Sequence, residues 1–247
     1  MKLFLPYLIA DFNEAYILET AGNNWVLKKV EDIYSISNSI TIRSDYIKSS
    51  LNEKIDFKKK FEKKLIAKIA SGDFRRNITL NELKKRKGEI DVIDMLKITR
   101  IHNKSKNFFN GSLKNICMHS KSLISSETTG SLIVKLKEGN IYIYATLSPR
   151  PCSSIYKPIT FDNKNILFDE NDVEKAVKYW KNRKILALRI GMDENLKKIF
   201  MIKRDLIESE LISMEWNKEN ISNIWKEEEN TVYDLLINHE LEKYKMP

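Results

Sequence analysis

A chain of 247 residues with 42% hydrophobic and 10% aromatic content carries enough apolar side chains for one sizeable globular domain, or a domain with a helical appendage, and is expected to fold rather than stay disordered. Lys and Arg number 43 against 34 Asp and Glu, a net charge of +9, but the basic residues interleave with glutamates, as in Lys58-Lys59-Lys60-Phe61-Glu62 and Lys84-Lys85-Arg86-Lys87-Gly88-Glu89. Such runs read as solvated helix faces, so no nucleic-acid partner is expected, and no run approaches the ~20 apolar residues that span a bilayer.

The first elements are strands. In "MKLFLPYLIAD" Pro6 interrupts the apolar run and no small-residue cleavage site follows, so it reads as a strand, Tyr7 to Ala10, rather than a signal peptide. A turn at Asp11-Phe12-Asn13 leads to a second strand, Ala15 to Thr20, and Gly22-Asn23-Asn24 turns the chain into a third. If period two continues through "IYSISNS", Asn38 shares a side with Tyr34 and Ile36, both core candidates, which would turn a carboxamide inward.

Residues 45–102 change to helical patterning. Phe57, Phe61, Leu65 and Ile69 recur at helix spacing until Ser71-Gly72-Asp73 breaks the run. Thr79 and Glu82 then stand at capping-box spacing, opening a helix that stops at Gly88, and a further helix is expected over about 91–101. Strands return as a hairpin over 130–147, flanking Lys137-Glu138-Gly139-Asn140. The Pro-rich "SPRPCSSIYKPITF" is an ordered loop that cannot be a central strand. From Asn171 the chain reads as helices: one stripe of Val173, Val177 and Trp180 ending at Gly191, a second of Leu196, Ile199, Phe200, Ile207, Leu211 and Met214, and a last helix over about 221–245. The fold class is α+β, with a sheet portion and helical layer over 1–165 and a helical region of the same domain over 166–247.

Cys117 and Cys152 are too few for a disulfide framework, which places the chain in a reducing, cytoplasmic setting. Cys117 and His119, two apart on an extended segment, share a face and would begin a metal site, but two ligands do not make one. A buried thiol and a hydrogen-bonded histidine account for the pair, and Cys152 reads as packing in the Pro-rich loop. No metal or cofactor is expected. Glu127-Thr128-Thr129 stands either beside a substrate pocket or at a strand-opening turn, and Trp180, Trp216 and Trp225 read as core.

Several stretches, taken in order, carry a resemblance. These are Leu8-Ile9-Ala10-Asp11, Leu18-Glu19-Thr20-Ala21-Gly22, Trp25, Ser35-Ile36-Ser37-Asn38, Cys117-Met118-His119-Ser120, "TTGSLIVKL" from Thr128, "PCSSIYKP" from Pro151 and "YWKNRKILALRI" from Tyr179. Together they resemble the secernin and dipeptidase-type branch of the cysteine N-terminal-nucleophile hydrolases and their acyltransferase-like relatives. The resemblance implies a four-layer αββα sandwich and amide C–N cleavage or acyl transfer of a small peptide or acyl-amide substrate. In that chemistry an N-terminal Cys supplies the thiol and its α-amine manages the proton.

The resemblance also implies roles. Asn38 would direct its side-chain N–H at the oxyanion, against the plainer role of closing a turn beside serines. Arg75 and Arg76 fall where the group carries an active-site arginine; Arg76 is taken, without a means of choosing between them. Residue 1 is Met, residue 2 is Lys, and no Cys precedes Cys117. The chain is therefore expected to be the C-terminal portion of such an enzyme, active only with a separate segment that carries the nucleophile. Exposure of Cys117 by cleavage after Ile116 is disfavoured, because it would remove the strands that carry Asn38. The competing expectation is a non-catalytic interaction protein of the same fold, and without the missing segment an open apolar sheet face and unpaired edges would favour homo-oligomers.

Overall fold

The computed structural model describes residues 4–62, 71–102, 113–120, 126–161 and 172–243. Within them the protein is α+β, with antiparallel sheets and six α-helices. The chain divides into two compact units, Met1–Asp94 with Leu113–Ile116, and Met95–Ser112 with Cys117–Pro247.

The first unit is built on a four-stranded antiparallel sheet in sequential order: β1 (Phe4–Ala10), β2 (Ala15–Ala21), β3 (Asn24–Val30) and β4 (Lys48–Ser49). The β1–β2 turn forms because the Asp11 carboxylate accepts from the N–H groups of Asn13 and Glu14, at 2.7 and 2.8 Å. Gly22, at φ 64°, supplies the left-handed residue of the next turn. Period two puts Ile17, Glu19 and Ala21 on one face of β2, and all three are buried. Val26, Ile40, Ile42, Tyr46 and Phe57 complete that core. The opposite face carries the cross-strand rows Leu5–Thr20–Trp25 and Tyr7–Leu18–Leu27, and Leu5, Tyr7 and Ile9 stay exposed there.

Helix α1 (Phe57–Phe61) is capped by Asp56, whose carboxylate accepts from the Lys59 N–H. Leu65 and Ile69, read as continuing this helix, lie outside the described residues. The Ser71-Gly72-Asp73 break proves to be a beginning, since α2 runs Gly72–Lys85. Thr79 is therefore mid-helix, its hydroxyl donating to the Arg75 carbonyl at 3.1 Å, and does not open a helix. The capping box occurs instead ahead of α3 (Val92–Thr99), where the backbone N–H groups of Asp91 and Asp94 each donate to the other's carboxylate.

The second unit holds the two-residue pair β5 (His119–Ser120) and β6 (Ser126–Glu127), and a three-stranded sheet of β7 (Leu132–Lys137), β8 (Asn140–Ala145) and β9 (Lys157–Ile159). The β7–β8 hairpin turns through Glu138 and Gly139, both at positive φ, the twist that a two-residue hairpin needs. Pro158 is accommodated because β9 is an edge strand. Three helices follow: α4 (Val173–Ile190), α5 (Glu194–Ser213) and α6 (Lys218–Lys243). The buried face of α4 is Tyr179, Arg183, Leu186, Ala187 and Ile190, whereas Val173, Val177 and Trp180 are exposed, which corrects the stripe read from sequence. Trp225 is core, donating its indole N–H to the Pro158 carbonyl at 2.9 Å, and Trp216 packs edge-on against Tyr142 and Tyr144.

The α4 face is polar at Arg183 because its partner lies on α6. Arg183 donates to both Glu228 and Glu229, and Lys157 Nζ reaches Glu228 at 3.1 Å, with Lys157 and Glu228 fully buried. Lys157 also donates to the carbonyls of Thr146 and Ile155, so each of its three N–H groups is used. Burial penalises the Glu228 carboxylate, but Lys157 and Arg183 outweigh that and hold it below its ordinary range. A depressed carboxylate stabilises the fold above its ordinary value, and the contribution is lost as pH falls through the lower folded value. Glu228→Gln, which leaves the buried Lys157 without its counter-charge and Arg183 with Glu229 alone, is predicted to cost about 3–5 kcal/mol in urea unfolding and to flatten the acid limb of the stability profile.

Candidate functional site

Among the described residues, two places, one in each unit, bear on the chemistry expected from the sequence. In the first, residues 37–39 form a tight turn closed by a Ser37–Ser39 bridge, with Asn38 at its apex. Asn38 is exposed, so the inward carboxamide expected from period two is corrected: the strand pattern ends before it, and only Tyr34 and Ile36 pack against the core.

Three contacts fix this turn. Gly72, in the first turn of α2, approaches so closely that a Cβ there would stand 2.8 Å from the Asn38 carbonyl carbon. Ser39 donates to Asp73 at 2.8 Å from the same helical turn. Beyond the turn, the buried Glu19 carboxylate accepts from the Thr41 N–H, the Thr41 hydroxyl and the Ile42 N–H at 2.6 to 3.0 Å. Burial raises the Glu19 pKa, against the pull of those donors. Glu19 thus braces the exit of the turn, and its mark in the sequence is a carboxylate within the inward row Ile17, Glu19, Ala21.

Arg76 lies one helical turn after Gly72. Its Nε donates to the Ser35 carbonyl at 2.8 Å and its guanidinium stacks over the Tyr34 ring at 5.3 Å. Arg75 points elsewhere, buried, with Nη1 donating to the Leu113 carbonyl at 2.6 Å. The fold thus brings Asn38 and Arg76 to one short segment, 35–39, braced on one helix, and gives Arg75 a separate structural contact.

The second place is a cluster of His102, Cys117, His119 and Cys152, whose ligating atoms all lie within 4.8 Å of one another. Cys117 and His119 are buried and the other two half-buried. Sequence spacing paired only Cys117 with His119. The other two arrive through backbone contacts: the Cys117 N–H donates to the Ile101 carbonyl at 3.2 Å, setting it beside His102, while Cys152 sits in a 3₁₀ turn, Pro151–Ser153. That turn follows Arg150, a non-glycine residue at φ 59°, a conformation costing on the order of 1–3 kcal/mol. It is held by ion pairing of Arg150 with Glu127 at 2.5 Å and by the Arg150 N–H donating to the Thr128 carbonyl at 2.8 Å. Thr128 in turn exchanges hydrogen bonds with Met118, between Cys117 and His119. Glu127 and Thr128 are therefore part of this scaffold.

Within the cluster the two imidazole Nε2 atoms are 2.9 Å apart. The neighbouring Cys152 thiol, with burial, raises the Cys117 pKa, and the proximity of Cys117, with His102, His119 and Ser153, lowers that of Cys152 against the opposing effect of burial.

No protein-family model matches the chain, and no solved structure matches it.

The Gly72 contact is directly testable. Gly72→Ala must displace backbone at Asn38 and is predicted to cost about 1–3 kcal/mol in denaturant unfolding, more than an alanine gains in helix propensity.

Proposed function

We propose that this chain contributes the oxyanion-side turn and much of the scaffold of a secernin-like cysteine amide hydrolase with αββα layering. The observation that carries the reading is the exposed Asn38 carboxamide on a turn whose backbone is fixed from three directions. A donor held in place before the reaction loses little reorganisation energy as the carbonyl oxygen gains charge, which is how an oxyanion donor accelerates acyl transfer. Arg76 acts one step back, holding the 34–35 segment that enters the turn.

The ordered motifs that resemble the family support the reading independently. So do the apolar sheet faces: Leu5, Tyr7 and Ile9 in the first unit, and Leu132, Val134 and Ile141 on one face of the β7–β8 hairpin, are large exposed hydrophobics of the kind a second layer covers. Cys117 and Cys152, the two cysteines of the sequence, both belong to the four-residue cluster, so the attacking thiol of this reaction would come from outside residues 1–247.

The test is to co-express and co-purify the full chain with the product of any upstream reading frame and assay hydrolysis of dipeptides and N-acyl amides. Hydrolysis that iodoacetamide abolishes, and that Asn38→Ala slows by about 10²–10³-fold in kcat, is the expected outcome. A folded, assembled pair that hydrolyses neither substrate class would overturn the proposal in favour of a non-catalytic interaction protein.

A further inference from the structure

The His102, Cys117, His119 and Cys152 cluster has no part in that hydrolytic reading, and its chemistry points elsewhere. We propose that these four side chains bind one Zn²⁺ as a closed, structural, tetrahedral site.

The donor set is the first argument. Two thiolates and two neutral imidazoles are a recurrent structural zinc ligand set, and the combination suits a borderline-soft d¹⁰ ion better than Mg²⁺ or Ca²⁺, which take oxygen ligands. Charge is the second. Two thiolates neutralise Zn²⁺, so the complex enters a buried place without net charge, whereas a lone thiolate there carries a desolvation cost.

Geometry is the third argument. Zn–S of about 2.3 Å and Zn–N of about 2.0–2.1 Å place tetrahedral ligand atoms roughly 3.3–3.8 Å apart. The observed limit of 4.8 Å and the 2.9 Å imidazole contact bracket that range, so a shift of about 1 Å or less in the side chains seats the ion. Cys117 and His119 flank Met118, whose N–H and carbonyl are both tied to Thr128, and His119 opens β5. His102 follows Arg100, whose guanidinium donates to the carbonyls of Pro151 and Ser154 on either side of Cys152. The Cys152 carbonyl itself accepts from Arg204 Nη1 at 3.1 Å. These backbone contacts orient the ligand-bearing segments as an outer shell does in zinc sites.

Four protein ligands leave no open position, so the ion's effect is to staple segments 100–102, 117–119 and 150–154 together rather than to activate water. Both thiols are then withdrawn from nucleophilic chemistry.

The experiment uses the full chain without a polyhistidine tag, expressed under reducing conditions with added zinc and then gel-filtered. About one zinc per chain is expected by elemental analysis, with an X-ray absorption spectrum of two sulfurs near 2.3 Å and two nitrogens near 2.0–2.1 Å. Replacing zinc with Co²⁺ should give the intense ligand-field bands of tetrahedral cobalt and a thiolate charge-transfer band, both lost in Cys152→Ser and His119→Ala. Should those variants fail to fold, wild-type alkylation decides: zinc should protect both Cys117 and Cys152 from iodoacetamide, and a strong chelator should restore their reaction. A wild-type chain that retains no zinc, an oxygen-dominated metal shell, a Cys117–Cys152 disulfide, or alkylation indifferent to zinc would each overturn the proposal.

Discussion

The second unit is organised by one desolvated ion pair. Arg100 and Glu208 meet in a two-pronged contact at 2.5 and 2.7 Å, with side chains only 13% and 5% exposed. Taking both charges out of water is favourable only if nearly every remaining donor and acceptor is used, and here they are. Arg100 Nε donates to the Pro151 carbonyl, a further N–H reaches Ser154, and the guanidinium stacks over the Tyr156 ring at 5.2 Å. Glu208 accepts in addition from the Tyr156 N–H at 2.9 Å. One side chain of α5 therefore fixes both the segment leading to His102 and the loop that carries Cys152. The pair thereby brings the His102 segment and the Cys152 loop together, while Cys117 and His119 join them through Ile101 and Thr128.

Glu19 does comparable work in the first unit. It is a carboxylate on the buried face of β2 that accepts from backbone and hydroxyl donors of residues 41–42, with Arg76 near enough to favour its charged form. Its burial is tolerated because those donors replace water, and the result is a fixed exit from the Asn38 turn. Both units thus use a buried acidic group to hold an irregular segment that hydrophobic packing alone would leave loosely specified. The apolar faces serve a different purpose, since Leu5, Tyr7 and Ile9 remain exposed on a sheet whose other side is a closed core.

What could be read from the sequence was what short-range chemistry decides. The β7–β8 hairpin was legible because Gly139 and its neighbour set the turn locally, and the β1–β2–β3 meander because Asp11 and Gly22 mark its corners. Helix faces failed where a polar residue occupies the buried side. Val173, Val177 and Trp180 form an apolar stripe in the first half of α4, yet the helix buries the face with Tyr179, Arg183, Leu186, Ala187 and Ile190, where Glu228, on a different helix, receives Arg183. The Asn38 turn could be located but not oriented, since its direction depends on Gly72 and Glu19 arriving from either side in the sequence. The metal-ligating cluster was half legible: Cys117 and His119 share a face by spacing, but His102 and Cys152 join them through Ile101 and Arg100, contacts that no local pattern encodes.

The most direct measure of whether one ion pair builds the cluster is zinc affinity, titrated against a chromophoric chelator, for the wild type, Arg100→Gln, Glu208→Gln and the double variant, with circular dichroism confirming the fold of each. If Arg100 and Glu208 act as a unit, each single substitution weakens zinc by about 10–100-fold and the double is no weaker than the worse single. Zinc affinity unchanged in folded Arg100→Gln, or losses that multiply in the double variant, would contradict the account.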